Sequence, residues 1–372
     1  MDELPPEEPP PEEPPPIEPP PIDDAPAPVA PPPVPRAAAP RVGESIGGAL
    51  DLALSASRQI RRASLYVGAL TLALLGPATV LFMAIVRDEG SLSAALSLVA
   101  SPATFGREPE AVTMFKVSFV CGVFGLLAIL IEAQIIVAAI LGGVATGRRI
   151  GIRGSLRLSR RVFWRVFAAS FLVGVLGSAA GLLLMNILDP STLGELQGAQ
   201  IWAILVQIAV AAPFSYSLAG IVVGGVGPIE SLKRSVRIAG ARWRLAFLIA
   251  LAGAVIGVVQ DFALGAGFDV LSRIATAAGL GLDGSIEIAF LTGLLILASV
   301  MAIGSLLVTV TALIVAVQVF AFLRMTGYSA GLDRALGGGF DDDLRAPRLV
   351  TWPMRILIAF GGVFALLGLT SL

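Results

Sequence analysis

The chain contains no histidine and a single cysteine, Cys121, and only 14% of its 372 residues are charged. Without histidine there can be no Ser-His-Asp triad, no His-ligated metal site and no imidazole acid–base chemistry. A lone cysteine inside an apolar run excludes an intramolecular disulfide. Lysine is scarce as well, with Lys116 and Lys233 standing beside many arginines, which points to a high-GC bacterial source. The start is acidic and proline-rich, unlike the basic-then-apolar pattern of a signal peptide. These gaps predict a non-enzymatic chain with no cofactor and no metal.

What fills the chain is apolar. Hydrophobic residues make up 56% of it, whereas soluble domains carry roughly 25% charged residues. Several runs exceed the roughly 18 to 20 residues needed to cross a hydrocarbon core. The expected fold class is an all-α polytopic membrane protein with about seven transmembrane helices. Its near-zero formal charge hides two opposite regions. Before residue 41 there are nine acidic residues and one arginine, leaving 18 acidic against 25 basic residues in the membrane body.

Residues 1–41 read as a disordered, acidic, proline-rich tail on the cytoplasmic side, since proline fixes φ and lacks an N–H. A proline-binding protein module is one partner such a tail could take, and a solvated spacer is the plainer reading. Residues 42–326 read as a six-span domain with three interfacial helices. Its first interfacial helix covers Glu44 to Arg62, followed by spans near 65–86, 116–147, 166–188, 201–226, 245–264 and 288–323. A small outer helix is expected over 268–279. The run 288–323 would be about 54 Å long against a core of about 30 Å, so one tilted helix is predicted, with Gly304 as a bend point. Residues 327–353 read as a cytoplasmic loop and 354–372 as a C-terminal span.

Cations test this count. Arg58, Arg61 and Arg62, the stretch Arg148 to Arg165, the stretch Lys233 to Arg244, and Arg324, Arg334, Arg345 and Arg348 all fall on one side. Basic loops stay cytoplasmic, so the N-terminus is expected inside and the C-terminus outside a bacterial inner membrane.

Three times the chain uses one unit, a basic amphipathic segment followed by an outward and a returning helix. The units begin near Glu44, Gly154 and Gly227. In the third, Pro228 suits the first helical position, and Trp164 and Trp243 suit a membrane boundary. Two stretches, V-G-E-S-I-G-G-A-L-D-L-A-L at 42–54 and G-V-G-P-I-E-S-L-K-R-S-V-R-I-A-G-A-R-W-R at 225–244, resemble hallmarks of the membrane domain attached to some glycerophosphodiester phosphodiesterases and of its stand-alone, mostly uncharacterised bacterial relatives. The likeness spans about 42–324. That family's catalytic barrel relies on histidines and is absent from this chain, so the resemblance implies a membrane module and no phosphodiesterase activity.

Candidate site residues fall into two groups. Arg157, Arg160, Arg161, Lys233, Arg234 and Arg237 are placed to bind anionic lipid headgroups; nucleic acid is the less simple partner for cations beside spans. Glu132, mid-way along the second span, is the costliest side chain in the apolar region. Gln134, Gln207 and Tyr216 are in-membrane polar groups that could meet it. Glu132 reads either as an interhelical hydrogen-bonding group or as a proton or cation relay. Gly143/Gly147, Gly177/Gly181, Gly220/Gly224 and Gly253/Gly257 have the spacing of close helix contacts, within the bundle or in a homo- or hetero-oligomer. Pro213 should kink the fourth span. Asp341 to Asp343 read as a solvated run. The expected function is anionic-phospholipid binding as a scaffold or lipid-handling module. The alternatives are a small-solute or ion transporter using Glu132 and a membrane-embedded lipid-acting enzyme.

Overall fold

A computed structural model describes residues 42–89, 92–100, 110–148, 150–187, 205–206, 208–255, 258, 286–336 and 351–370. The chain divides into Met1–Ala38 and Ala39–Leu372, and every described residue belongs to the second unit. The proline-rich tail, the small helix over 268–279, Gln207, Gly257 and the Asp341–Asp343 run lie outside the described residues.

Among the described residues the structure is helical and contains no strand. In chain order the helices are α1 (Val42–Ser55), α2 (Ser57–Glu89), α3 (Leu92–Ala100), α4 (Glu110–Ala145), α5 (Ile152–Ile187), α6 (Ser217–Val222), α7 (Pro228–Ala241), α8 (Trp243–Val255), α9 (Ile286–Thr326), α10 (Ala330–Leu336) and α11 (Trp352–Thr370). Among the described residues four stretches are long and apolar enough to cross a membrane: Ser57–Phe82, Glu110–Ala145, Ile152–Leu183 and Leu297–Thr326. A fifth results if α7 and α8, bent by 114° at their junction, are taken as one span. Ile208–Val222 and Trp352–Val363 are shorter apolar helices. By helix length and hydropathy this is a multi-pass membrane protein.

The organising element is α4. Its residues from Ile135 to Leu141 are fully buried, as expected of a helix that is apolar on every side. Helices α1, α2, α5, α6, α9, α10 and α11 all pack on it. Helices α2 and α11 run antiparallel to it. On α2, Leu75 meets Gly122 and Leu74 meets Gly125; on α11, Ile358 meets Gly125 and Gly361 meets Cys121. A second antiparallel contact joins α2 to α9 through small residues. A Cβ on Gly304 would stand 2.6 Å from Thr71 Oγ1 and 3.1 Å from Gly68 Cα. Ser305 Oγ donates across the same crossing to Ser64 O at 3.1 Å. Close backbone approach of this kind is how helices associate where solvent gives no hydrophobic drive.

Among the described residues three helix ends are closed by glycine at positive φ, the last being Gly327 (φ 63°) after α9, whose N–H donates to Leu323 O at 2.8 Å. Gly147 (φ 71°) follows α4, with Arg148 N–H donating to Gly143 O at 2.8 Å and Gly147 N–H to Val144 O, a Schellman arrangement. Gly225 (φ 71°) ends α6 with one bond to Ile221 O, and a Cβ there would lie 2.8 Å from Gly331 Cα. A side chain at Gly225 would be strained and crowded at once.

Several expectations meet the structure with differences. The helix expected over Glu44 to Arg62 breaks at Ala56, where Ser55 Oγ turns back to Leu52 O at 2.7 Å. The basic stretch before the third span is not a separate segment, because α5 runs unbroken from Ile152 to Ile187. Its first turns therefore carry the cations as an extension of the same rod. The long run does form one helix, α9, and Gly304 within it is a packing contact in an unbroken helix. Pro213 sits in a 3-10 turn, Ala212–Phe214, that interrupts the fourth apolar run, and Pro228 occupies the start of α7 with Gly227 as its N-cap. Within the segment read as a polar loop, α10 is folded into the core. Leu332 is fully buried, Gly331 N–H donates to Val223 O at 2.8 Å, and Arg148 pairs with Asp333 at 2.9 Å.

Candidate functional site

Two regions concentrate chemistry: a cationic surface on α5 and α7, and a buried polar centre around Glu132.

Helix α7 is amphipathic in an unusual sense. One face, Ser231, Leu232, Ser235 and Ala239, is buried. Two serines bolt that face to the interrupted fourth apolar run. Ser231 Oγ donates to Ser217 O at 2.6 Å, and Ser235 Oγ donates to Pro213 O at 2.8 Å while accepting from Tyr216 N–H at 3.0 Å. Proline lacks an N–H and leaves backbone groups unpaired around it, and Ser235 satisfies two of them. The opposite face carries exposed Lys233 and Arg237 beside exposed Ile229 (65%) and Val236 (44%). Arg234 is held by Glu230 one turn back at 2.9 Å. Just beyond the bend, Trp243 is 65% exposed with the Arg244 guanidinium 5.7 Å from its ring centre. Cations and aliphatic groups thus share one outward face of α7, and an exposed indole follows just past the bend.

The start of α5 repeats this chemistry. Arg160 and Arg161 are exposed and Arg157 is half-buried, while Ser155 and Ser159 face inward. An aromatic series follows within three turns: Phe163, Trp164, Phe167 and Phe171 are in successive ring contact at 5.3, 5.6 and 6.1 Å. Further along, Leu172, Val175, Leu176, Leu182 and Leu183 are exposed, as a lipid-facing helix requires.

The buried centre has a different composition. Glu132 is 1% exposed, and neither carboxyl oxygen has a hydrogen-bond partner. Tyr66 Oη on α2 and Thr351 Oγ1, immediately before α11, are likewise buried and unpartnered. Thr351 faces the Glu132 carboxyl without completing a well-formed hydrogen bond, and the charge of Glu132 acts on Tyr66. The Arg160 guanidinium acts on both Glu132 and Tyr66. The antiparallel register of α2 and α11 against α4 explains the convergence, since it brings 66, 132 and 351 to one level. A buried carboxyl without donors is costly, and such groups ordinarily find partners.

The predicted polar companions of Glu132 fare differently. Gln134 is half-buried and lies about 200° round the helix from Glu132. Tyr216 is buried in a separate cluster with Ala239, Leu245, Ala246 and Ile249, and its charged neighbour is Arg242. The residues that do meet Glu132, namely Tyr66 and Thr351, carry no sequence signal toward it. Of the small-residue pairs, Gly143, Gly220 and Gly224 are close contacts within the bundle. Gly177, Gly181 and Gly253 meet no atom within 4 Å among the described residues.

Comparison with known proteins finds no matching family model, curated protein or solved structure. Among the described residues no group of three or more His, Cys, Asp or Glu side chains could hold a metal ion.

Proposed function

We propose that this is a non-enzymatic integral membrane protein whose basic helices bind anionic phospholipid headgroups at the cytoplasmic face of a bacterial inner membrane, as a scaffold or lipid-handling module. The observation that carries the reading is the outward face of α7. A soluble surface has no use for Lys233, Arg237, Ile229 and Val236 side by side with an exposed Trp243 just past the end of the helix. At a bilayer interface the cations reach phosphates while the apolar groups enter the acyl boundary.

The same reading includes seven crossings, an N-terminus inside and a C-terminus outside, and three repeats in the manner of the phosphodiesterase-associated membrane domain. Burial supports the repeats. Aligning Glu44-Ser45, Gly154-Ser155 and Glu230-Ser231 puts buried Ser45, Ser155 and Ser231 at one position and buried Ala49, Ser159 and Ser235 one turn later. The antiparallel order of α2, α4, α9 and α11 agrees with alternating crossings.

Replacing Lys233, Arg234 and Arg237 together by glutamine is expected to weaken binding to vesicles containing anionic lipid by about a hundredfold, at roughly 1 kcal/mol for each surface cation. It should also lower the anionic lipid that co-purifies with the protein. Unchanged lipid content would sink the reading.

A second reading, a small-solute or ion transporter, is favoured by the unpartnered Glu132 carboxyl. On that reading Glu132→Gln abolishes flux in proteoliposomes while helicity by circular dichroism is retained.

A further inference from the structure

The centre at Glu132 has a composition that narrows what it could hold. Its unpartnered groups are the two carboxyl oxygens of Glu132, the Tyr66 hydroxyl and the Thr351 hydroxyl, contributed by α4, α2 and the start of α11. Thr351 is 2% exposed and Glu132 1% exposed, so a ligand held between them is small and largely stripped of water. All the donors are oxygens, which suit hard cations, and no thiolate or imidazole is present to favour a transition metal. There is one carboxylate. Calcium takes six to eight oxygens, commonly from several carboxylates, and magnesium keeps most of its waters. A single negative charge ringed by neutral oxygens balances a single positive charge.

Simple interhelical hydrogen bonding does not account for the arrangement. Thr351 lies close enough to act on the carboxyl as a hydrogen-bonding group, yet neither hydroxyl completes a well-formed bond to it, although burial makes an unpaired group cost about 1–3 kcal/mol. Arg160, exposed on α5, offsets part of the carboxylate charge from outside the centre.

We propose that Glu132, Tyr66 and Thr351 form an intramembrane binding site for a monovalent cation of the sodium class, with Arg160 weakening its hold. The inference rests on the second reading above and names its ligand. It makes no demand on the lipid-binding surface of α7.

The test measures equilibrium binding, so that it can be told apart from transport. Thermal unfolding of the full chain in detergent is followed while sodium chloride replaces choline chloride at constant ionic strength. A ligand that binds only the folded state raises the midpoint as its concentration passes the dissociation constant. Wild type should show a sodium-dependent rise, and Glu132→Gln should lose it. In Thr351→Val and Tyr66→Phe the sodium concentration at which the midpoint begins to rise should increase by about tenfold or more, and in Arg160→Gln it should fall. Binding of radioactive sodium to the purified protein should follow the same order. Should Glu132→Gln fail to fold, the Thr351 and Tyr66 variants and the opposite shift in Arg160→Gln decide the matter. No sodium-dependent rise in wild type would overturn the proposal. So would an equal rise in all variants, or a rise with choline as large as with sodium. Retained sodium binding in a protein without flux would remove transport and leave the site standing.

Discussion

Ser235 shows how much can rest on one hydroxyl. Its Oγ donates to Pro213 O and accepts from Tyr216 N–H, so it serves two backbone groups on either side of the 3-10 turn. Ser235→Ala removes both bonds and leaves those groups buried, at about 1–3 kcal/mol each if nothing replaces the hydroxyl. The expected result is a lower unfolding temperature in detergent, with lipid binding by Lys233 and Arg237 impaired only as far as α7 loosens. An unfolding temperature equal to wild type would mean that water or a shifted α7 takes over both groups. The contrast with Glu132 is instructive. Both residues are buried and polar, but the serine is saturated and the carboxyl is not.

At the scale of elements, the crossing of α2 and α9 depends on the absence of side chains. Gly304→Leu must displace Thr71 and the Gly68 backbone. Overpacking of this kind costs about 1–3 kcal/mol, and more where backbone must move. Gly174→Leu on α5 meets nothing within 4 Å and should leave stability unchanged, which makes it the control in the same unfolding assay. Helix identity was legible from the sequence because apolar runs and Pro228 announce themselves through period and position. Helix boundaries were less so. The break at Ala56 and the fusion of the basic stretch into α5 depend on neighbours that no local pattern encodes. Helix α10 was illegible for a further reason. Seven residues do not form a stable helix alone, and what orders them is Leu332 and Gly331 lodging against α4 and the end of α6. The meeting of Tyr66, Glu132 and Thr351 is likewise a matter of register between helices far apart in sequence, whereas the cations of α5 and α7 could be read directly because they cluster along the chain.

For the whole molecule the claim at stake is a common side for the basic segments. Introduced singly into a chain carrying Cys121→Ser, Arg157→Cys and Arg234→Cys should both react with an impermeant thiol reagent from the cytoplasmic side and resist it from outside. Labelling from opposite sides would dissolve the threefold plan and the seven-crossing count together. Under the proposed plan, small inward residues recur at Ser45, Ser155 and Ser231 for a common reason. Each basic helix must lie close against the bundle before its outward face can meet a bilayer.

Helix α11 is no appendage. It lies along α4 with Gly361 against Cys121 and Ile358 against Gly125, and the residue just ahead of it, Thr351, closes over Glu132. A homologous chain that stopped after α10 would present that carboxylate to whatever filled the vacated groove, water or acyl chain. In such a shortened protein, selection should have replaced the acid with a neutral residue or recruited a substitute cover. Helix α11 and the acid are therefore expected to be gained and lost as a pair.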